Sequence, residues 1–266
     1  MNTKEKQMVN ILIDLKENHN VVGVKAEFEA EGTRMEEALR LKEVVSKAGL
    51  DLTIKVGGCE ALRDLYEVRT IGVEAVVAPM IESPYALKKY IKALNSVFSD
   101  SEKEDLSVLI NIETITGFNN AEEILDTPEA AFLDGVVLGR ADMTGSMGMS
   151  KENANSNMIF EIAKDLALIS YNNDKKFIIG GGVCPQSIPF MKRLNSNHLN
   201  KFETRKIIFD AQKALAKEDC NLGILKALDF ELMWLKNKCD FYGIIYNQDS
   251  QRIKMLENYK QGLVFN

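Results

Sequence analysis

Charged and apolar residues alternate in the segment VKAEFEAEG, residues 24–32. Successive side chains of a strand point to opposite faces, so Lys25, Glu27 and Glu29 would share one face. That face is either solvated or lines a polar site, where an ammonium group can stabilise negative charge and a carboxylate can transfer protons. The structural alternative is an ion pair between Lys25 and Glu27, which carries a desolvation cost when it is buried.

Further polar residues recur where the predicted strands end. They are Lys55, Glu82, Asn111, Glu113, Arg140, Asp142 and the run Gly180-Gly181-Gly182. A parallel α/β barrel collects the carboxyl ends of its strands at one face and builds its active site there. The distribution therefore favours a site at that face, with Lys25 and Glu27 pointing into it.

Composition narrows the chemistry of such a site. The chain has only two histidines, which argues against a Ser-His-Asp triad or a histidine-built metal site. Its four cysteines are far apart and form no CxxC pair, so we interpret them as reduced thiols rather than zinc ligands. Any metal would therefore be held by carboxylates.

Charge and hydropathy limit the partners. With 33 basic and 39 acidic residues the formal net charge is −6, which argues against a nucleic-acid-binding surface. No apolar run approaches the roughly 18 residues that a membrane span needs, and the polar start MNTKEKQ is unlike a signal peptide. We expect a cytoplasmic protein that binds neither nucleic acid nor membrane.

The apolar periodicity and turn residues predict strands that alternate with helices. The predicted strands are 21–30, 51–57, 74–80, 106–114, 134–140, 175–182 and 202–209. The predicted helices are one capped by Thr3 and those at 34–48, 59–71, 84–97, 119–126, 157–170, 186–193 and 211–262. The polar segment SDSEKED, residues 99–105, is predicted to be a loop.

This alternation indicates a parallel α/β fold. An open doubly wound sheet is one solution, but there is no GxGxxG after the first strand and no GxxxxGK[ST] anywhere. The polar strand ends favour a (β/α)8 TIM barrel with a modified N-terminal strand. We assign residues 1–214 to the barrel and 215–266 to a long helical C-terminal tail.

Two segments, LINIET (109–114) and LDGVVLGRADMTGSMG (133–148), carry a resemblance to a known family. Together with VVAPMIES (76–83) they resemble the HpcH/HpaI aldolase and citrate lyase β-subunit family, a branch of the phosphoenolpyruvate/pyruvate TIM barrels. The resemblance covers roughly residues 21–215. Residues 21–31 are most similar to the family's second strand, so the family's first strand is missing or disguised here.

The resemblance implies a divalent metal, Mg²⁺ or Mn²⁺, held by Glu113 and Asp142. A 2-oxo acid would chelate this metal, which would stabilise a pyruvate-like enolate as a Lewis acid. The resemblance also implies that the substrate carboxylate meets the backbone N–H groups of Ala141 and Asp142, and Gly139 would let the backbone approach closely.

Other roles follow from positions where the chain departs from the family. Lys55 stands where the family has an arginine, and it keeps the charge that would stabilise the enolate but loses the bidentate fork. Many aldolases of the family have a histidine just after the strand that matches residues 21–31, and this chain has none there. We therefore assign the general-base role to Glu27 or to a metal-bound water that it positions. Lys25, Thr114 and Arg140 are predicted to contact the substrate, with a rim salt bridge as the alternative for Arg140.

The predicted tail is more apolar than one helix against one barrel requires. We expect its remaining face to bury against another subunit, in a homo-oligomer.

The sequence thus predicts a metal-dependent carbon–carbon lyase, of class II aldolase type, that acts on a 2-oxo acid and an aldehyde. A CoA-thioester lyase of the citrate lyase β or malyl-CoA type is the second hypothesis, although no basic, aromatic-bearing segment for the CoA adenine is evident. A non-catalytic barrel subunit or ligand-binding partner is the third. The absent histidine and the lysine in place of arginine keep that third hypothesis open.

Overall fold

The computed structural model describes residues 1–194 and 198–264, with side chains described up to residue 261. Within this part of the chain, eight strands form a closed barrel. They are β1 (Val21–Glu27), β2 (Asp51–Lys55), β3 (Ala75–Ala78), β4 (Ser107–Asn111), β5 (Gly135–Gly139), β6 (Lys176–Gly180), β7 (Lys201–Glu203) and β8 (Ile207–Asp210).

Helices precede, separate and follow these strands. They are α1 (Thr3–His19), α2 (Met35–Lys47), α3 (Leu62–Ile71), α4 (Pro84–Val97), α5 (Asp100–Glu104), α6 (Ile115–Asn119), α7 (Ala121–Leu125), α8 (Arg140–Ser146), α9 (Asn157–Asn172), α10 (Ile188–Arg193), α11 (Ala211–Ala216) and α12 (Cys220–Val264). Short 3-10 helices lie at Pro128–Phe132, Lys151–Asn155 and Pro185–Ser187.

Strands β1 to β7 pair in sequence order, each parallel to the next. β8 then pairs antiparallel with both β7 and β1, and this closes the barrel. The register places Glu27 beside Lys55 and Gly139 beside Gly180, so these strand ends lie at one face. The predicted closed α/β barrel with a long C-terminal helix is confirmed.

The last predicted strand, 202–209, is wrong as a single strand because the chain reverses within it. β7 and β8 form a hairpin with Arg205 and Lys206 at the turn. The backbone N–H of Thr204 donates to the Ile207 carbonyl over 2.9 Å, and the N–H of Ile207 donates to Thr204 Oγ1 over 3.1 Å. Threonine and serine hydroxyls commonly close turns in this way.

The chain begins with the predicted first helix, α1 (Thr3–His19). Among the described residues no strand precedes Val21, and β8 occupies the place beside β1 that closes the barrel. The N-cap is Asn2 rather than the predicted Thr3, because Asn2 Oδ1 accepts the N–H of Glu5 over 2.9 Å. The predicted loop 99–105 also contains a helix, α5, which Ser99 caps.

Helix α12 packs on the barrel through its first half, as far as Tyr242, whose hydroxyl contacts Glu37. The buried side chains among its described residues are Cys220, Ile224, Ala227, Phe230 and Trp234, and α1 lies against it. The predicted boundary at residue 214 falls inside α11, and residues 265 and 266 of the predicted tail lie outside the described residues. No helix in the described part of the chain is long and apolar enough to cross a bilayer.

Candidate active site

The barrel interior has an apolar half and a charged half. Four apolar side chains from β3 to β6 form a separate buried cluster: Val77, Leu109, Val137 and Ile178. Four charged side chains from β1, β2 and β7 are also buried: Lys25, Glu27, Lys55 and Glu203. Buried charges are costly unless they are paired, so the charged half has to be a connected network.

Lys25 is the deepest cation of this network. Its Nζ contacts the Glu203 carboxylate and lies 3.2 Å from Glu27 Oε1. Burial alone would lower the pKa of Lys25, but the Glu203 and Glu27 carboxylates outweigh burial and raise it. The amine therefore stays protonated and is unsuited to attack a carbonyl. A side chain at residue 180 would obstruct this pairing, since a Cβ on Gly180 would lie 2.8 Å from Glu203 Oε1.

Lys55, at the end of β2, lies nearer the barrel mouth. Its Nζ is 2.8 Å from Glu29 Oε2 and 3.4 Å from Glu113 Oε1. Burial would lower the pKa of Lys55, but the negative charges of Glu113, Glu29 and Glu27 raise it. A permanent cation therefore faces the carboxylate that follows β4.

Glu113 is the most enclosed carboxylate of the site, with a side chain that is 1% exposed. Asn111 Nδ2 donates to Glu113 Oε2 over 2.7 Å, and the backbone N–H of Met80 donates to Glu113 Oε1 over 3.2 Å. Burial raises the pKa of Glu113 and nearby Asp142 raises it further, whereas Lys55 and Asn111 lower it. The net direction is upward, so Glu113 holds its charge less firmly than a solvated glutamate does.

Gly139, at the end of β5, leaves the space that Glu113 occupies. A Cβ built on Gly139 would lie 2.4 Å from Glu113 Oε2 and 3.0 Å from Glu113 Cβ. The sequence predicted a close backbone approach at Gly139, and the structure shows that the neighbour it accommodates is Glu113.

The oxygen atoms at the ends of β4 and β5 fit a hard divalent cation. Asp142 is exposed in the first turn of α8 and close enough to Glu113 to raise its pKa. Asn111 Oδ1 is buried and has no hydrogen-bond partner among the described residues. No group of three or more His, Cys, Asp or Glu side chains in the described chain is placed to hold a metal. A metal on Glu113 and Asp142 would thus take its other ligands from water and substrate, as Mg²⁺ commonly does.

Backbone N–H groups border the same region at the start of α8. Gly181 has a φ of +71°, and a Cβ built on it would lie 2.6 Å from the backbone nitrogens of both Arg140 and Ala141. The first N–H groups of a helix have no partner within the helix. Gly181 therefore packs directly against the start of α8, where any side chain would collide with this backbone.

Two predicted substrate contacts are placed differently from the rest. The side chain of Arg140 is fully buried and donates to Gly180 O over 3.2 Å and to Asn155 Oδ1 over 2.7 Å. Its guanidinium also lies 4.9 Å from the Phe190 ring centroid, and burial lowers its pKa to about 10. The structure supports neither the predicted contact of Arg140 with a substrate carboxylate nor the alternative of a rim salt bridge. The Arg140 side chain instead connects α8 to its neighbours.

Thr114 caps helix α6. Its Oγ1 accepts the N–H of Gly117 over 3.1 Å and donates to Glu82 Oε1 over 2.5 Å. The structure thus gives this hydroxyl two protein partners.

The structure brings together seven of the predicted site residues. They are Lys25, Glu27, Lys55, Glu113, Gly139, Ala141 and Asp142.

Sequence reasoning assigned no role to Glu29, Asn111 or Glu203. The alternation that singled out Lys25 and Glu27 also placed Glu29 on the same face, and Asn111 shares a strand face with Leu109. The sequence therefore held enough information to predict Glu29 and Asn111 as residues of the site. Glu203 could not be placed, because its contact with Lys25 depends on the unpredicted hairpin.

A family model described as HpcH/HpaI aldolase/citrate lyase matches residues 12–173, which is more than half of the chain. No curated protein matches the sequence.

Solved structures with the same fold are distant in sequence. The citrate synthase SbnG is 16% identical with a TM-score of 0.58, and the match covers 88% of this chain and 90% of that one. An HpcH/HpaI aldolase/citrate lyase family protein from Burkholderia cenocepacia J2315 is 11% identical with a TM-score of 0.58, over 73% of this chain and 91% of that one. The HpcH/HpaI aldolase from Desulfitobacterium hafniense DCB-2 is 10% identical with a TM-score of 0.58, over 74% and 82%. These similarities establish the fold alone.

Proposed function

Because the chain belongs to the HpcH/HpaI aldolase/citrate lyase family, we propose that it is a metal-dependent carbon–carbon lyase that acts on a 2-oxo acid through a pyruvate-like enolate. An aldehyde is the proposed second substrate. The observation that carries the proposal is the buried Glu113 carboxylate, which is held by Asn111, faces the Lys55 ammonium and lies beside Asp142.

Glu113 and Asp142 would hold Mg²⁺ or Mn²⁺ through oxygen ligands. When bound there, the metal would polarise the keto oxygen of the substrate and stabilise the enolate charge. Lys55 adds a second positive charge at the same place, since its Nζ lies 3.4 Å from Glu113 Oε1. A preorganised cation that faces developing negative charge lowers the barrier without reorganising during the reaction.

The substrate carboxylate is proposed to accept hydrogen bonds from the backbone N–H groups of Ala141 and Asp142. Both residues lie in the first turn of α8, where backbone N–H groups have no partner within the helix. Lys25 is deeper in the barrel and is already paired with Glu27 and Glu203. Its proposed contribution is therefore positive charge below the site, without direct contact with the substrate.

Glu29 is better placed than Glu27 to transfer a proton. The Glu27 side chain is 9% exposed, and although burial would raise its pKa, the charges of Lys25 and Lys55 lower it. Such a carboxylate is a weak base. The Glu29 side chain is 26% exposed at the mouth, with Oε2 2.8 Å from Lys55 Nζ. We assign proton transfer to Glu29 and the positioning of Lys25 to Glu27.

Exchange of the methyl protons of pyruvate with deuterium, followed by NMR, tests this function, with 2-oxobutyrate as a second substrate. We expect exchange with Mg²⁺, none with EDTA, and a loss of at least about a hundredfold in Glu113→Gln and Asp142→Asn. Glu60→Gln is a matched control, because this exposed carboxylate pairs with Lys89 outside the site. Exchange that ignores EDTA, or that survives in both site variants, would refute the proposal.

A further inference from the structure

The β7–β8 hairpin places two cations at the mouth of the barrel. β7 runs parallel to β6 and ends at the same face as the other parallel strands, and β8 returns antiparallel from there. The turn between the two strands contains Arg205 and Lys206. The backbone N–H of Lys25 donates to the Lys206 carbonyl over 2.7 Å, which fixes the turn beside β1. The turn therefore lies next to the loop that leaves β1.

This loop, residues 28–34, connects β1 to α2 and is here called the mouth loop. Its beginning is fixed, because the N–H of Phe28 donates to the Lys55 carbonyl over 2.8 Å. Its later part folds back on the strand, because the N–H of Thr33 donates to the last carbonyl of β1 over 3.2 Å. Glu29, to which proton transfer is assigned above, lies between these two points.

Glu31 joins the mouth loop to the hairpin turn. Its carboxylate contacts the Lys206 ammonium, and its Oε1 accepts a hydrogen bond from Arg205 Nε over 3.1 Å. Thr33 Oγ1 lies 3.4 Å from Oε2 of the same carboxylate. Both oxygens of Glu31 are thus engaged, by two cations of the turn and one hydroxyl of the loop.

The burial of Lys206 makes this contact hard to break. Its side chain is 3% exposed, and among the described residues Glu31 is the one carboxylate that forms an ion pair with it. Burial lowers the pKa of Lys206 and outweighs the opposing charges of Glu31, Glu27 and Glu231. A buried charge is costly when it loses its partner, so an open mouth loop would leave Lys206 unpaired in the barrel wall. The closed loop is therefore strongly favoured.

We propose that the hairpin turn latches the mouth loop through Glu31 and thereby holds Glu29 beside Lys55. This inference rests on the proposed function, in which Glu29 transfers the proton. Glu29 lies two residues before Glu31, and its Oε2 is 2.8 Å from Lys55 Nζ. Because Phe28 and Glu31 are both anchored, the backbone at Glu29 has little freedom to leave the mouth. A base that is held in place before the reaction need not be ordered during each turnover. Glu31 and Lys206 are then positioning residues.

Two variants separate this positioning role from a contribution to stability alone. Glu31→Ala leaves the Lys206 charge buried and unpaired, so the melting temperature should fall. Glu31→Ala combined with Lys206→Met also removes the unpaired charge, so most of that loss should be recovered. The mouth loop is released in both variants, because neither retains the Glu31 carboxylate.

Amide hydrogen exchange of the full-length protein without substrate tests the latch. We expect the mouth loop to exchange at least about tenfold faster in Glu31→Ala, and in the double variant, than in the wild type. Glu60→Gln is the matched control, because Glu60 pairs with Lys89 in the loop that follows β2. It should leave exchange in the mouth loop unchanged. Wild-type amide exchange in the double variant would overturn the latch.

Deuterium exchange of pyruvate tests whether the latch acts through Glu29. The double variant Glu31→Ala, Lys206→Met should lower the rate by at least about tenfold. In a Glu29→Gln background the same two substitutions should lower it little further, because the group that they position is already gone. Equal losses in the two backgrounds would overturn the positioning role.

The two measurements distinguish a failed latch from a failed proposed function. A wild-type protein that exchanges no pyruvate protons would refute the proposed function, and the catalytic role of the latch with it. The latch itself would still be decided by amide exchange, which needs neither metal nor substrate.

Discussion

Glu113 and Lys55 depend on each other for their charge. Burial raises the pKa of Glu113, and the Lys55 ammonium 3.4 Å away is the largest opposing influence. Only the ionised carboxylate can hold a metal, so metal binding and activity should fall as the pH drops through the pKa of Glu113. The acid limb of a pH–rate profile therefore reports on this pair.

Removing the cation gives the first prediction. Lys55→Met should raise the pKa of Glu113 further, so the acid limb of the exchange reaction should move to higher pH and the plateau rate should fall. Lys55→Arg keeps the positive charge and should leave the acid limb close to its wild-type position. An acid limb that is identical in Lys55→Met and the wild type would contradict this coupling.

The two carboxylates that follow Lys25, Glu27 at the end of β1 and Glu29 just after it, should separate in function. Glu29→Gln should lower the exchange rate by about 10² to 10⁴-fold, the usual contribution of a general base, with little change in thermal stability. Glu27→Gln weakens the pairing of Lys25, so it should lower the melting temperature more than Glu29→Gln does. Measured rates that fall further in Glu27→Gln than in Glu29→Gln would return the base role to Glu27.

At the scale of the elements, parallel strand ends carry the site and a glycine shapes it. β5 ends in Gly139, which has no side chain to occupy the position of the Glu113 carboxylate. Two neighbouring strands can hold Glu113 and Asp142 close together because one of them presents bare backbone at this level. The geometry of the site therefore depends on backbone shape as well as on charged residues.

Gly139→Ala tests this dependence. A Cβ 2.4 Å from Glu113 Oε2 must displace the carboxylate, so metal-dependent exchange should be lost, and overpacking should cost about 1–3 kcal/mol of stability. Gly145→Ala in α8 is the matched control, since a Cβ there has no heavy atom within 4 Å and both properties should be retained. Wild-type exchange in Gly139→Ala would show that Glu113 does not need this space.

The sequence predicted most helices and strands, but it did not predict where the chain reverses or where the Arg140 side chain points. Apolar periodicity and turn residues predicted alternating strands and helices, and the polar strand ends favoured the barrel. The period of two placed Lys25 and Glu27 toward its interior, whereas Lys55 was identified from its position at a strand end and from the family resemblance. The hairpin at 204–206 was hidden because FETRKIIF reads as one strand, with no glycine or proline to mark the turn. Arg140 was misplaced because the direction of a side chain at the start of a helix depends on tertiary neighbours.

At the scale of the whole molecule, the first turns of α12 are part of the hydrophobic core of the barrel domain. Phe230 is fully buried in the main hydrophobic core, and Trp234 is buried beside it. The later turns of the same helix expose an apolar face and reach into solvent. One continuous helix thus contributes buried side chains to the core and carries exposed apolar side chains beyond it.

Phe230→Ala should show that α12 is integral to the core. Removing a buried phenylalanine typically costs about 3–5 kcal/mol, which denaturant unfolding would detect. Leu232→Ala, on the same helix with a side chain that is 50% exposed, should change stability by about 0.5 kcal/mol or less. Equal and small effects of the two substitutions would mean that α12 is not anchored as described.

The most direct measurement of the central claim is a Mn²⁺ titration followed by electron paramagnetic resonance. If Glu113 and Asp142 hold the metal, the wild-type protein should bind one Mn²⁺ per chain. Glu113→Gln and Asp142→Asn should each weaken that binding by roughly tenfold or more, while Glu60→Gln binds as the wild type does. Unchanged stoichiometry and affinity in both site variants would contradict the assignment of the metal site, and with it the proposed reaction.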